Sequence, residues 1–139
     1  MNSFKNPLPV GVHLQEVCEG GSGRRGVIVI QRDDMSGWAL PGGYIATDKD
    51  ISAETGAARE FREETGIIVA PGRLFASVIT PNDKMLLFCR STVPLIAPDF
   101  SQWKPTPEAL AIRVLYDPEE LCFPTHTHAL WMWFGLKRP

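Results

Sequence analysis

Short apolar runs separated by turn residues make up most of the chain. Leu8 to Val17 (Leu-Pro-Val-Gly-Val-His-Leu-Gln-Glu-Val) alternates in part and predicts a strand, with Pro9 marking a strand start or a sheet edge. His13 falls within it and is expected as a partly exposed strand residue; residues 1–7 ahead of it are expected as a loosely held arm. Glu19 to Arg25, with Gly20, Gly21 and Gly23, reads as a hairpin turn. It has neither the Gly-Lys-Ser/Thr nor the Gly-x-Gly-x-x-Gly pattern of a phosphate cradle. Gly26 to Gln31 is β-branched and apolar, the pattern of a buried strand. Leu74 to Thr80 and Lys84 to Val93 flank Pro81-Asn82-Asp83 and predict an antiparallel hairpin, with Cys89 a small buried hydrophobe inside it. Residues 94 to 107 carry Pro94, Pro98, Pro105 and Pro107 without periodicity and read as a loop, after which Ala109 to Tyr116 returns to a strand. Asp117-Pro118-Glu119-Glu120 has the composition of a helix start. Ala129 to Phe134 predicts a closing helix, with Trp131 and Trp133 packed against the domain. His126 and His128, two residues apart, do not share a helical face, so they are expected in the lead-in to that helix and not as a metal pair.

One segment breaks from this β-rich pattern. After Trp38 to Leu40 and a Pro41-Gly42-Gly43 turn, Ser52 to Thr65 takes up helical spacing. Asp50 or Ser52 is the expected N-cap, Glu54 lies in the dipole-favoured first turn, and Gly66 stops the helix. Ala53, Ala57, Ala58 and Phe61 form the stripe that docks it. Glu60, Glu63 and Glu64 stand three and four apart and so stack on one face. Like charges at that spacing destabilise an isolated helix by about 0.2–0.5 kcal/mol per pair. Such a cluster points to a hard divalent cation bound by oxygen ligands. Arg59, four residues before Glu63, is placed to orient that carboxylate.

Length and composition narrow the setting. With 139 residues, 44% of them hydrophobic and 22% charged, the chain reads as a single globular domain over 1–139. A formal charge of -2 and the lack of a basic run argue against extended nucleic acid as the partner, although a nucleotide needs only a few local donors. Cys18, Cys89 and Cys122 are scattered, which is neither a disulfide framework nor a zinc pattern and fits a reducing cytoplasm. No apolar stretch reaches membrane-span length and no signal peptide opens the sequence, so a cytoplasmic location is expected.

The string Arg59-Glu60-Phe61-Arg62-Glu63-Glu64-Thr65-Gly66-Ile67, preceded by Trp38-Ala39-Leu40-Pro41-Gly42-Gly43, resembles the Nudix box and its usual lead-in. The resemblance departs from the family pattern in one place. Fifteen residues, 44 to 58, separate Gly43 from Arg59 where the pattern has thirteen, and its first glutamate falls on Ile51. Asp48, Asp50 and Glu54 are the candidates to replace it. The resemblance implies an α/β fold, the Nudix α/β/α sandwich with a mixed β-sheet, and a homodimer as one assembly open to the chain. It further implies a hydrolase dependent on Mg2+ or Mn2+ that cleaves the pyrophosphate bond of a nucleoside diphosphate linked to another moiety, with ADP-ribose or a dinucleotide among the candidates. In that mapping Gly43, Glu60, Glu63 and Glu64 hold the metal, Glu63 or Glu108 serves as ligand or base, and Arg59 steadies the carboxylates. Asp99 is a second choice to Glu108, and Arg32 is a candidate phosphate contact. The alternative is a catalytically weak Nudix-fold module that binds a nucleotide or partner as a sensor, an option raised by Ile51 and by the longer loop.

Overall fold

The computed structural model describes residues 6–34 and 36–137, so most of the expected N-terminal arm lies outside the described residues. Two sheets form the scaffold. The first has the order β5-β1-β7-β6, from Gly42–Tyr44 (β5), Leu8–Leu14 (β1), Lys84–Arg90 (β7) and Arg73–Ile79 (β6). The second has the order β4-β3-β2-β8, from Trp38–Ala39 (β4), Arg25–Arg32 (β3), Glu16–Cys18 (β2) and Leu95–Ile96 (β8), with Ala109–Leu115 (β9) also paired to β3. Both sheets are mixed: β1 runs parallel to β7 and β2 parallel to β8, while the remaining pairs are antiparallel.

The continuous apolar run of β3 now has a cause. Val27 and Val29 point into a core completed by Leu121, Ala129 and Leu130, while Ile28 points into a second core around Phe61. A strand buried on both faces has no polar alternation to show. β1 alternates instead. Val12 and Leu14 enter the first core, and Gly11 and His13 face the helix Ala53–Thr65 (α1). A Cβ on Gly11 would stand 3.0 Å from the Ala57 backbone nitrogen, so a glycine there sets how closely α1 approaches the sheet.

α1 is closed at both ends by local chemistry. Ser52 and Thr55 form a reciprocal capping box, and Gly66 takes the left-handed conformation (φ 76°) and bonds back to the Arg62 carbonyl. The second helix, Pro124–Trp133 (α2), contributes Ala129 and Leu130 to the first core, and Trp133 packs against that core. No helix among the described residues is long and apolar enough to cross a membrane.

Several expectations need correction. His13 is fully buried, because α1 lays Phe61 edge-on against it at 5.2 Å; its Nε2–H donates to Gln15 Oε1 at 2.8 Å, and burial lowers its pKa. Pro9 opens a strand but not a sheet edge, since β1 lies between β5 and β7. Gly42 and Gly43 are part of β5 and pair with Val12 and Gly11, so the two glycines of the expected Pro-Gly-Gly turn lie in a strand. No helix begins at Asp117: the Cys122 N–H bonds to the Trp38 carbonyl and the Leu121 N–H to Thr127 Oγ1, and the stretch stays irregular until Pro124. His126 and His128 consequently lie inside α2. The 94–107 loop also contributes the two-residue strand β8.

Candidate metal and substrate site

Glu60, Glu64 and Glu108 converge. Each offers a carboxylate oxygen, and the three oxygens lie within 4.8 Å of one another. The first two come from successive turns of α1, as their four-residue spacing dictates. Glu108 arrives by another route, because the loop that carries it is fastened to the C-terminal end of α1. Trp103 Nε1 donates to the Thr65 carbonyl at 2.7 Å, and Thr106 Oγ1 donates to the Glu64 carbonyl at 2.6 Å. These side chains satisfy helix-end carbonyls that have no intrahelical partner. The same bonds seat Glu108 beside the Glu64 side chain.

Gly43 lies directly under the cluster. A Cβ built there would fall on the Glu60 carboxylate, so glycine leaves the space that this group occupies. The Gly42 N–H donates to Glu64 Oε1 at 3.1 Å. That single bond does not offset the loss of water around a buried carboxylate. Burial, reinforced by Glu108 and Glu60, pushes the Glu64 pKa up to about 8. Burial also raises Glu60, against the opposing charge of Arg59.

Arg59 is a hub. It grips Asp50 with two bonds, Nε to Oδ1 at 2.8 Å and Nη2 to Oδ2 at 2.9 Å. It also reaches Glu60 Oε1 and Glu63 Oε1, each at 3.1 Å, and the Tyr44 carbonyl. Of the three candidates for the missing box carboxylate, Asp50 is the one that these bonds engage. Its side chain is 2% exposed, its Oδ2 also accepts the Ala46 N–H at 2.8 Å, and the Arg59 bonds hold its pKa below the usual carboxylate range. Asp48 is exposed, and Ile51, at 94% exposure, points to solvent. Glu63 is placed on Arg59, more exposed than Glu60 and outside the three converging carboxylates. Asp99 accepts the Ser101 N–H in its own exposed turn and is not part of the cluster.

The cluster opens onto a cavity of about 480 Å³. Val10, Val12, Leu40 and Leu86 supply apolar walls, and Arg32, Lys84, Tyr44 and His126 supply polar and aromatic groups. Arg32 carries a two-pronged pair with Asp34 and stacks on Phe123 at 4.9 Å. Lys84 lies 5.6 Å from the Tyr44 ring. Lys84, Tyr44 and His126 were not foreseen as cavity residues. Nothing local distinguishes them, and only the strand pairing and the placement of α2 bring them together.

Two of the three converging carboxylates, Glu60 and Glu64, together with Gly43 and Arg59, are residues of the box and its lead-in, and the sequence matches the family model described as NUDIX domain over residues 10–133. The chain belongs to the NUDIX family. Solved Nudix structures share the fold. A NUDIX hydrolase from Nitrosomonas europaea is 20% identical with a TM-score of 0.70, over 96% of this chain and 76% of that one. A MutT/nudix family protein from Enterococcus faecalis is 18% identical with a TM-score of 0.63, over 82% of this chain but 45% of that one, so this chain matches less than half of that protein's length. A UDP-X diphosphatase is 16% identical with a TM-score of 0.60, over 96% of this chain and 66% of that one. A comparison with curated proteins by sequence finds no match.

The donor set of the Nudix cluster suits a hard divalent ion. It is all oxygen, three carboxylate oxygens within 4.8 Å of one another, and the Glu64 carboxylate is buried.

Proposed function

We propose that this Nudix protein is a divalent-metal-dependent hydrolase that cleaves the pyrophosphate bond of a nucleoside diphosphate linked to another moiety. The observation that carries this reading is the convergence of Glu60, Glu64 and Glu108, with Glu64 and Glu108 on the wall of a cavity of about 480 Å³, a volume within the range of small-molecule sites. Glu60, Glu64 and Glu108 would hold Mg2+ or Mn2+, joined by Gly43 through its backbone. When bound, such an ion neutralises diphosphate charge and makes water more acidic. Arg59 keeps Glu60 and Glu63 in fixed rotamers. Glu63, exposed and already oriented by Arg59, is the carboxylate available to align or deprotonate water, with Glu108 the other candidate for that role. Arg32 and Lys84 are the cationic groups on the cavity wall for phosphate oxygens.

Two relatives in fold fit the substrate class by name. One is the UDP-X diphosphatase; the other is the NUDIX domain of Shewanella oneidensis NrtR, solved in complex with ADP ribose (17% identity, TM-score 0.53, over 80% of this chain and 73% of that one). The sensor alternative drew its support from Ile51 and the longer loop; the bonds between Asp50 of that loop and Arg59 favour the hydrolase reading.

The test is release of nucleoside monophosphate from a panel of nucleoside diphosphate derivatives with Mg2+ or Mn2+, with Glu64→Gln as the control. Turnover that needs the ion and disappears in the variant is expected. Binding of the same compounds without turnover would reject the hydrolase reading.

A further inference from the structure

His126 is a buried polar group in the same cavity that the acidic cluster does not use. It sits in the first turn of α2 and is 8% exposed. The Leu40 N–H donates to its Nδ1 at 3.2 Å, so Nδ1 carries no proton and the neutral ring holds its proton on Nε2. The ring cannot swing. Phe123 meets it edge-on at 4.9 Å and Phe88 at 5.8 Å. Among the described residues nothing accepts the Nε2 proton, and that nitrogen is not sealed in the interior, since His126 lines the cavity. α2 also lacks a side-chain cap at Phe123, so its positive end faces the same space.

A fixed, neutral donor suits a particular kind of acceptor. A histidine built to hold phosphate gains by becoming charged, yet here the Leu40 N–H occupies the nitrogen that would have to protonate. Burial, with Arg32 adding to it, holds the pKa down to about 3. Leu40, Leu86 and Phe123 give the cavity apolar wall, with Arg32 stacked on Phe123. A flat heterocycle carrying a carbonyl oxygen matches both features. An exocyclic amino group does not, because two donors would face each other away from water and both would stay unpaired.

We propose that His126 is the specificity determinant of this cavity, donating from Nε2 to a carbonyl oxygen of the substrate's base and so selecting keto bases over amino bases. This rests on the reading that the cavity takes a nucleotide, and it narrows that class toward uracil-, hypoxanthine- or guanine-containing compounds.

The experiment is calorimetric binding of two matched pairs in the presence of Mg2+: inosine against adenosine monophosphate, and uridine against cytidine monophosphate. Within each pair the two forms differ at one exocyclic position, a carbonyl oxygen against an amino group, and at the adjacent ring nitrogen, a donor in the keto form and an acceptor in the amino form. In at least one pair the keto member binds about tenfold tighter, the scale of one satisfied against one unsatisfied buried hydrogen bond. His126→Asn places an acceptor oxygen near the Nδ1 position, keeping the Leu40 bond, but has no donor where Nε2 stood; it shrinks the preference to within about twofold. His126→Gln, which carries a donor at the Nε2 position, retains part of it. In the wild-type protein the His126 Nε2 resonance moves on adding the preferred keto nucleotide, a readout that does not depend on any variant folding. An absent preference, an amino preference, failure of all four nucleotides to bind, or a preference that survives in His126→Asn would each overturn the assignment. Keto preference without turnover of diphosphates would remove the hydrolase reading and leave this one standing. Turnover without preference would remove only this one.

Discussion

Asp50 and Arg59 are joined by two parallel bonds of 2.8 and 2.9 Å, which tie the loop ahead of α1 to the arginine of the Nudix box. The guanidinium fork matches a carboxylate in both geometry and charge. With one edge committed to Asp50, Arg59 turns its remaining nitrogen toward Glu60 and Glu63.

Asp50→Asn removes the charge and one acceptor while keeping the shape. Arg59 is partly exposed and retains its glutamates, so the loss in stability is expected at about 2 kcal/mol, below the 3–5 kcal/mol of a fully buried pair. Turnover falls about 10- to 100-fold, as when a group that orients metal ligands is lost. Thermal melts and initial rates measure both. Asp48→Asn, at an exposed site, changes neither by more than twofold. Ile51→Glu does not raise activity, because position 51 faces solvent; a clear gain there would show that Asp50 is not the replacement carboxylate.

Gly43→Ala tests the space under Glu60. The added methyl would overlap that carboxylate, and the carboxylate is held by Arg59, so one of the two must move. The expected result is weaker Mg2+ binding by about tenfold or more with a smaller change in melting temperature. Titration with Mn2+ followed by paramagnetic broadening would read this directly. Unchanged ion affinity would separate Gly43 from the metal site.

The raised pKa of Glu64 gives a pH dependence with a definite sign. In the unfolded chain the group titrates near 4.5, and in the metal-free folded protein near 8. The folded state therefore holds the proton more tightly, and the stability this contributes is complete below the unfolded pKa and lost as pH rises toward about 8. Metal-free protein should melt at progressively lower temperature from pH 5 to pH 8. Added Mg2+ should reverse the trend, since cation and proton compete for the same oxygens. Glu64→Gln should flatten the metal-free curve. A metal-free melting temperature that rises across this window would contradict the assignment.

The helix and the site differed in how far they could be read from the residues. Ser52, Gly66 and the Glu60/Glu63/Glu64 spacing are local signals, so α1 and its acidic face were legible. The division into two sheets was not, because it depends on the parallel pairs β1–β7 and β2–β8, which join residues far apart in the chain. The Asp117-Pro118 start failed for a partly related reason: the Cys122 N–H bonds to the distant Trp38 carbonyl and the Leu121 N–H to Thr127 in α2, and together they override a local helix preference. His126 looked like half of a doubtful metal pair. Its meaning comes from the Leu40 N–H and two phenylalanines, none of them adjacent in sequence.

Glu108 provides the last test, because its place in the cluster depends on a tether. Trp103 and Thr106 bond the helix-end carbonyls of Thr65 and Glu64, and Thr106 also forms an isolated bridge with Ala109 next to Glu108. Thr106→Val leaves the Glu64 carbonyl without that donor and frees the loop at the residue nearest the site. If the tether acts by positioning Glu108, Thr106→Val lowers kcat about tenfold with KM little changed, and Glu108→Gln lowers it at least as far. The double variant should then be no worse than Glu108→Gln alone, because a positioning bond has no further effect once the positioned group is gone. Losses that multiply in the double variant would instead mean that Thr106 supports the helix and that Glu108 acts independently of it.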